Sequence, residues 1–368
     1  MSELRVGTRL LQAGRNRTEP GAPFLAGPTF AAPFFFAGDD RDAQYTYGRY
    51  HNPTWTAFES ALADLEGGET LVFGSGMAAI SSLLATALEP GDVLVLPDDC
   101  YYTVRVLADE LLRAFGVDVR PFATTAMAVD ADFDGATLVW LETPTNPGLD
   151  VCDVAAVARR AHAAGALVAV DNTTATVVGQ QPLALGADFS VASDSKALTG
   201  HADLVLGHVA TADPVWAARL RAYRTLTGSI AGPMEVWLAH RSLTTLDVRL
   251  ERQCTNALAI AALLERHPAV RMVRYPGLAN DAAHAVAARQ MQRYGPVVSF
   301  EVADRDHANR FFTRVQLVTE ATSFGGVHTS AERRARWGGD RVSAGFIRLS
   351  AGCEDPADLV ADIAQALD

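Results

Sequence analysis

Between residues 70 and 211, short β-branched apolar runs alternate with segments of helical period. The runs are "TLVF" (70–73), "DVLVLP" (92–97), "ATLVWLE" (136–142), "ALVAVDN" (166–172), "ADFSVAS" (187–193) and "DLVLGHVA" (203–210). Between them, "MAAISSLLATAL", "YYTVRVLADELLRAF" and "DVAAVARRAHAAG" carry apolar residues at helical spacing. A strand that is apolar throughout is buried on both faces, as in a largely parallel sheet covered by helices on each side. In such sheets ligands gather beyond the carboxyl ends of the strands. "FGSG", "DDCYY", "ETPTNP", "DNTT" and "SDSK" all stand there.

After residue 212 the pattern changes. The spacing predicts one long amphipathic helix over about 233–266. "VRMVRYPG", "PVVSFEV" and "GFIRLSAG" read as strands of a smaller sheet, with helices in "DHANRFFTRV" and "DPADLVADIAQAL". The first 50 residues lack periodicity and are rich in Gly, Pro and Phe, which suits an arm packed on a neighbouring subunit. The expected organisation is an N-terminal arm (1–50), a large α/β domain (51–240) and a smaller α+β C-terminal domain (241–368).

Composition narrows the function classes. A chain of 368 residues, 49% of them hydrophobic, can form two cores. A net charge of −12 leaves no electrostatic footprint for nucleic acid. The basic stretch "AERRARWGGDR" (331–341) is therefore expected to be a solvated face or part of a ligand site. No apolar run approaches a membrane span, and the N-terminal segment has no apolar signal core. Cys100, Cys152, Cys254 and Cys353 are scattered, form no CxxC pair, and read as free buried thiols in a reducing compartment. These features predict a soluble cytoplasmic protein with a small-molecule substrate, no nucleic-acid or membrane partner and no metal site.

Lys196 stands at the end of an apolar strand and follows Ser193 and Ser195. Desolvation there lowers an amine's pKa and makes it a nucleophile; the ordinary alternative is a lysine that snorkels or pairs with Asp194. Asp171 ends "LVAVD". A carboxylate in that place can pair with the protonated ring nitrogen of pyridoxal phosphate, or merely cap the next helix. "GSGM" (74–77) joins a strand to a helix, and small residues there let backbone N–H groups approach a phosphate. "GSGMAA" also fits a G-x-G-x-x-A dinucleotide fingerprint, with Asp98 as the acidic partner, which would make the protein an NAD(P)-dependent oxidoreductase. That alternative gives no role to Lys196 or Asp171. Tyr101 can stack on a pyridine ring, and Asn146 can bond its hydroxyl.

With these residues in place, the chain resembles the Cys/Met-metabolism family of pyridoxal-phosphate (PLP) enzymes. The family includes cystathionine γ-lyase, cystathionine γ-synthase, cystathionine β-lyase and methionine γ-lyase. "YGRYHNPT", "GSGMAAI", "ETPTNP", "VDNT", "SDSKALTGHAD", "YPGL", "SFGGVHT" and "RLSAGCED" match the family's blocks in order over essentially the whole chain. The resemblance implies a PLP fold-type I architecture with pyridoxal 5'-phosphate joined to Lys196 as a Schiff base. It implies that Asp171 pairs with the ring nitrogen, that Tyr101 stacks on the ring, and that Gly76, Met77, Ser193 and Ser195 hold the phosphate. Tyr47 and Arg49 would reach the cofactor of a neighbouring subunit, in a homo-oligomer of dimers, usually a tetramer. Arg348 would grip the substrate α-carboxylate, with Asn146, Ser323 and His328 lining the pocket.

The chain departs from the family's pattern in "YYTV" after Tyr101, in His328 and Thr329 after "SFGG", and in Asp194 beside the lysine. These departures bear on substrate choice. The implied activity is that of a carbon–sulfur lyase on sulfur-containing L-amino acids, first as cystathionine γ-lyase-type α,γ-elimination. Methionine γ-lyase and cystathionine γ-synthase or β-lyase chemistry are the near alternatives.

Overall fold

The computed structural model describes residues 4–13, 20–35, 38 and 43–368. Part of the expected 1–50 arm therefore lies outside the described residues. Seven strands form the larger sheet: β1 (Glu69–Phe73), β2 (Val93–Pro97), β3 (Asp118–Phe122), β4 (Leu138–Glu142), β5 (Leu167–Asp171), β6 (Phe189–Ala192) and β7 (Gly207–Thr211). Their order is β1-β7-β6-β5-β4-β2-β3. All neighbours from β6 to β3 are parallel; β7 runs antiparallel to both β6 and β1.

The apolar runs divide by parity, as a pleated strand requires. Leu94, Leu96, Leu138, Trp140, Ala169 and Phe189 enter one core with helix Gly76–Ala87. Val93, Val95, Val139, Leu141, Val168 and Val170 enter the opposite core with helix Val154–Ala163. Each large apolar side chain removed from water in this way contributes ~1.5–3 kcal/mol. A third core lies under helix Pro53–Glu66, whose start is fixed by the Asn52 side chain accepting from Thr54 N–H at 2.8 Å and by Pro53 in the first turn.

The smaller sheet contains β8 (Val270–Arg274), β9 (Val297–Val302), β10 (Thr319–Glu320), β11 (Ser330–Arg333) and β12 (Phe346–Ser350). Its order is β10-β11-β12-β9-β8, antiparallel except for β10–β11. Helices Arg305–Arg314 and Pro356–Leu367 pack in its core, as their periodicity predicted.

The helix expected over 233–266 is two helices, Pro233–Leu243 and Leu246–Arg266. The break falls at Thr244 and Thr245, whose hydroxyls bond back to the carbonyls of Arg241 (2.8 Å) and Ser242 (3.1 Å). Such local bonds compete with the helical ladder. The second helix joins two cores: Leu246 and Leu250 pack with the larger domain, Ala257, Ile260 and Leu264 with the smaller sheet. The N-terminal region is not wholly aperiodic, since Val6–Gln12 is helical and buries Leu10. All four cysteines are free; Cys100 and Cys152 are buried, while Cys254 and Cys353 are only half-buried. Among the described residues no helix is long and apolar enough to cross a membrane.

Candidate active site

The carboxyl ends of β1, β2, β4, β5 and β6 open on one edge of the large sheet, and the singled-out residues gather there. Ser75 caps helix Gly76–Ala87 by accepting from Ala78 N–H at 2.9 Å. The N–H groups of Gly76 and Met77 precede the first intrahelical bond, so they are open to an anion, with the helix dipole behind them. Ser193 closes the other side. A Cβ at Gly76 would lie 2.6 Å from Ser193 Cβ and 2.8 Å from its Oγ, so only glycine permits this approach. Ser193 N–H donates to Thr173 Oγ1 at 2.8 Å. The Ser195 hydroxyl is held by the Leu206 backbone, accepting from its N–H at 3.0 Å.

The same geometry removes the dinucleotide alternative. A Rossmann βαβ unit needs the strand after the glycine loop to return beside the first and parallel to it. Here β1 is an edge strand whose neighbour β7 is antiparallel, and β2, with Asp98 beyond it, lies four strands beyond β7.

Asp171 is buried at the end of β5, and its Oδ1 accepts from Thr173 N–H at 3.0 Å. Burial raises its pKa, which Lys196 and His208 oppose. The capping role considered for it is confined to this one loop N–H, since the following short helix, Thr176–Gly179, has no side-chain cap. Lys196 is half-buried. Burial and then Arg348 lower its pKa, while Asp171 raises it. Asp194 is not its partner: that side chain turns to the other face of the sheet and meets His208. The Lys196 turn is fixed by Thr199, whose hydroxyl donates to Asp194 O at 2.8 Å, and by Gly200 N–H to Lys196 O at 2.8 Å. Arg249 binds the carbonyls of Ala197 and Leu198 at 2.9 and 3.0 Å.

Arg348, on β12, is 3% exposed. Its guanidinium donates to Asn146 Oδ1 at 2.7 Å, to Ser323 O at 2.7 Å and to Glu332 Oε1. Burial lowers its pKa to about 10. Ser323 thus engages through its carbonyl, on a left-handed backbone with φ 74°. Phe324 is near both basic side chains, its ring centroid 5.7 Å from Lys196 Nζ and 5.2 Å from Arg348 Cζ. Gly325 (φ 85°) follows because a Cβ there would lie 2.3 Å from Ala197 N.

Two residues escaped the sequence reading. Glu142, at the end of β4, accepts from Tyr101 N–H at 2.6 Å and from Asn146 N–H at 2.7 Å, so one carboxylate positions two site residues. Burial and the facing Asp171 push its pKa well up. Thr173 links Asp171 to Ser193. The basic stretch 331–341 is partly a charge network. Arg334 pairs with Glu332 and Asp340 at 2.6 Å each, and Arg105, near Tyr101, donates to Gly339 O at 2.7 Å. Tyr101 is 38% exposed at the mouth. His328 is exposed, just beyond Val327, whose N–H donates to Gly200 O at 2.8 Å.

Tyr47 and Arg49 stand apart. Arg49 donates to Thr225 O at 2.8 Å and stacks on Tyr50 at 4.9 Å. Among the described residues no hydrogen bond or ion pair joins either to Gly76, Met77, Ser193 or Ser195. A cavity of about 540 Å³ opens beside Gly74, lined by Asp203, Leu204, Ile230 and Glu235 among others.

The donor set fits pyridoxal phosphate: open helix N–H groups and a serine for a phosphate, a buried carboxylate with no ion-pair partner among the described residues for a ring nitrogen, and a lysine of lowered pKa. Comparison with known proteins agrees. The family pattern described as "Cys/Met metabolism PLP-dependent enzyme" matches residues 8–368. A Streptomyces coelicolor protein with a provisional cystathionine gamma-lyase name is 54% identical over 98% of this chain and 93% of its own. The crystal structure of an apo methionine gamma lyase from Micromonospora echinospora superposes with a TM-score of 0.92 at 40% identity, covering 100% of both chains. A cystathionine gamma synthase from Xanthomonas oryzae, in complex with cystathionine, gives 0.95 at 34% identity over 99% of this chain and 98% of its own. The chain belongs to the Cys/Met-metabolism family of PLP-dependent enzymes.

Proposed function

We propose that the protein is a carbon–sulfur lyase of sulfur-containing L-amino acids, acting by α,γ-elimination as a cystathionine γ-lyase does. The observation that carries this is the convergence of Lys196, Asp171 and Arg348, with the Phe324 ring near both basic side chains. Cystathionine plus water would give cysteine, 2-oxobutanoate and ammonia. When bound, pyridoxal phosphate supplies an electron sink at the substrate α-carbon.

The rest falls to the chain. Gly76 and Met77 N–H, with Ser193 and Ser195, hold the phosphate. Asp171 keeps a proton on the ring nitrogen. Arg348 grips the substrate carboxylate through its planar fork, aimed by Asn146, Ser323 O and Glu332. Lys196 Nζ, favoured in its uncharged form by burial, takes the α-proton; once it has passed that proton on, the same nitrogen is free to take a β-proton. Tyr101 stacks on the ring and supplies a proton to the departing sulfur. His328 lies on the distal side of the pocket, where it bears on the choice among substrates.

Tyr47 and Arg49 are proposed to serve a second copy, because among the described residues no hydrogen bond or ion pair joins either to the phosphate cradle of its own chain. The acidic cavity beside Gly74 is where a neighbour's Arg49 would enter. The enzyme is then at least a dimer, with a tetramer of two such dimers as the family-based expectation. Its four unpaired cysteines support a cytoplasmic setting.

The test is to incubate the purified, PLP-loaded protein with cystathionine, methionine, homocysteine and cysteine, and to identify each keto acid. 2-Oxobutanoate from cystathionine is expected. Pyruvate in its place would mean β-elimination, and no keto acid from any substrate would overturn the proposal. The similarity to a methionine gamma lyase and to a cystathionine gamma synthase makes the methionine arm, and an added arm with an activated homoserine plus cysteine, the informative comparisons.

Glu142→Gln should leave the fold intact but present an amide to one of the two N–H donors. Losing one such bond corresponds to ~1.4 kcal/mol, or about tenfold in kcat/KM. Parent-like kinetics in this variant would show that Tyr101 and Asn146 are held by something else.

A further inference from the structure

Beneath the Lys196 turn, on the sheet face away from helix Gly76–Ala87, lies a buried charge cluster. His208 Nδ1 is 2.6 Å from Asp194 Oδ1, and His208 Nε2 is 3.1 Å from Glu66 Oε1. All three side chains are 0–1% exposed. They come from three elements: the turn after β6, strand β7, and the end of helix Pro53–Glu66. Val72, paired with His208 in the β1–β7 register, belongs to an apolar core with Ala197 and Leu206.

Facing a carboxylate at each nitrogen, His208 needs two N–H donors, so the imidazolium suits the site. Burial would lower its pKa, but Asp194 and Glu66 outweigh burial and raise it to about 10. The His208 charge also reaches Asp171, on β5, where it opposes the effect of burial. The cluster is not saturated: Glu66 Oε2 and Asp194 Oδ2 are buried with no hydrogen-bond partner among the described residues. Apolar residues of similar volume in place of a buried ion cluster are often neutral or stabilising. Stability alone therefore gives little reason for three charged groups in this core.

The position of Asp194 supplies one. Its neighbours Ser193 and Ser195 are the proposed cradle serines, and Lys196 follows. Ser193 and Ser195 are turned toward Gly76 and Leu206, so the alternate residue points through the sheet and is gripped from behind. We infer that the Asp194–His208–Glu66 cluster is a positioning device for the cofactor cradle, holding the Ser193–Lys196 turn in register so that phosphate and ring are bound. The inference rests on the proposed PLP chemistry but concerns residues that touch neither cofactor nor substrate.

The test uses the full-length protein, freed of cofactor and titrated with pyridoxamine 5'-phosphate by tryptophan fluorescence. This probe forms no covalent bond with Lys196, so its Kd reports the cradle alone; the thermal midpoint is read in parallel. Asp194→Ala is expected to raise Kd at least fivefold. Glu66→Gln, which keeps an acceptor for His208 and does not touch the turn, should stay within twofold of the parent. The apolar triple variant Glu66→Met/Asp194→Val/His208→Leu should melt no lower than the parent and still bind at least fivefold more weakly. If Asp194→Ala and the triple variant both bind like the parent, whatever their melting temperatures, the cluster is only a structural element and the inference fails. A parent protein that binds neither pyridoxamine nor pyridoxal phosphate would instead overturn the underlying function.

Discussion

Lys196→Ala is expected to reduce turnover by at least four powers of ten, ~5.5 kcal/mol of barrier. General-base catalysis alone is worth roughly 10²–10⁴-fold. Here the same amine is also the covalent anchor, so the two losses combine. The structure explains why this lysine is suited to the task. It is half-buried, Arg348 disfavours its charge, and Phe324 lies 5.7 Å from its nitrogen. Borohydride reduction of the PLP-loaded parent should leave the pyridoxyl group on the peptide containing Lys196. In Lys196→Ala a small primary amine in the buffer should restore part of the activity, because it can fill the vacated volume. Lys196→Arg should not be rescued, since its guanidinium occupies that space and does not give up its proton. Turnover within tenfold of the parent in Lys196→Ala would remove the residue from the chemistry.

The larger sheet was legible because its strands are apolar on both faces and short, so neither helix nor surface strand fits them. β3 was not, because Asp118–Phe122 reads "DVRPF": it is an edge strand, which tolerates Pro121 and charged residues. β7 was placed about four residues early. "DLVL" looks like a strand, but Leu206 is committed to Ser195 and the ladder starts at Gly207. The helix break at Thr244 and Thr245 left no apolar signature, since its cause is two hydroxyls turned back on the chain.

The site was legible where chemistry dictates residue type at a strand end, as with Lys196, Asp171 and the glycine loop. It was not legible where a residue acts through another. Glu142 stood inside a quoted motif, yet its two N–H partners are visible only once β2 and β4 are adjacent. His208 stands in an apolar run, where a single histidine reads as core. Its partners lie 14 and 142 residues away in sequence. Asp194 and Lys196 are near neighbours in sequence, which suggests a pair, but alternation along the chain sends Asp194 to the opposite face, where it meets His208.

Asp171→Asn separates binding from electronics and has the next largest expected effect. Asp171 Oδ1 already accepts from Thr173 N–H at 3.0 Å, and an asparagine Oδ1 can keep that bond. Its other terminus would then be an amide N–H₂ where the carboxylate had an oxygen. Facing a pyridine nitrogen, an amide donates and a carboxylate accepts, so the ring would be held unprotonated and would stabilise negative charge poorly. The phosphate cradle of Gly76, Met77 and Ser193 is untouched. Cofactor affinity should therefore change little, while turnover falls by about three powers of ten, ~4 kcal/mol. The two are measured separately, by equilibrium titration with pyridoxal phosphate and by keto-acid release under saturating cofactor. Parent-like turnover would reduce Asp171 to its bond with Thr173. Loss of binding and turnover together would mean instead that its charge holds the cradle in place. Burial is consistent with the electronic outcome: it raises this carboxylate's pKa against Thr173, Lys196 and His208, and a protonated ring nitrogen facing it would further favour the ionised form.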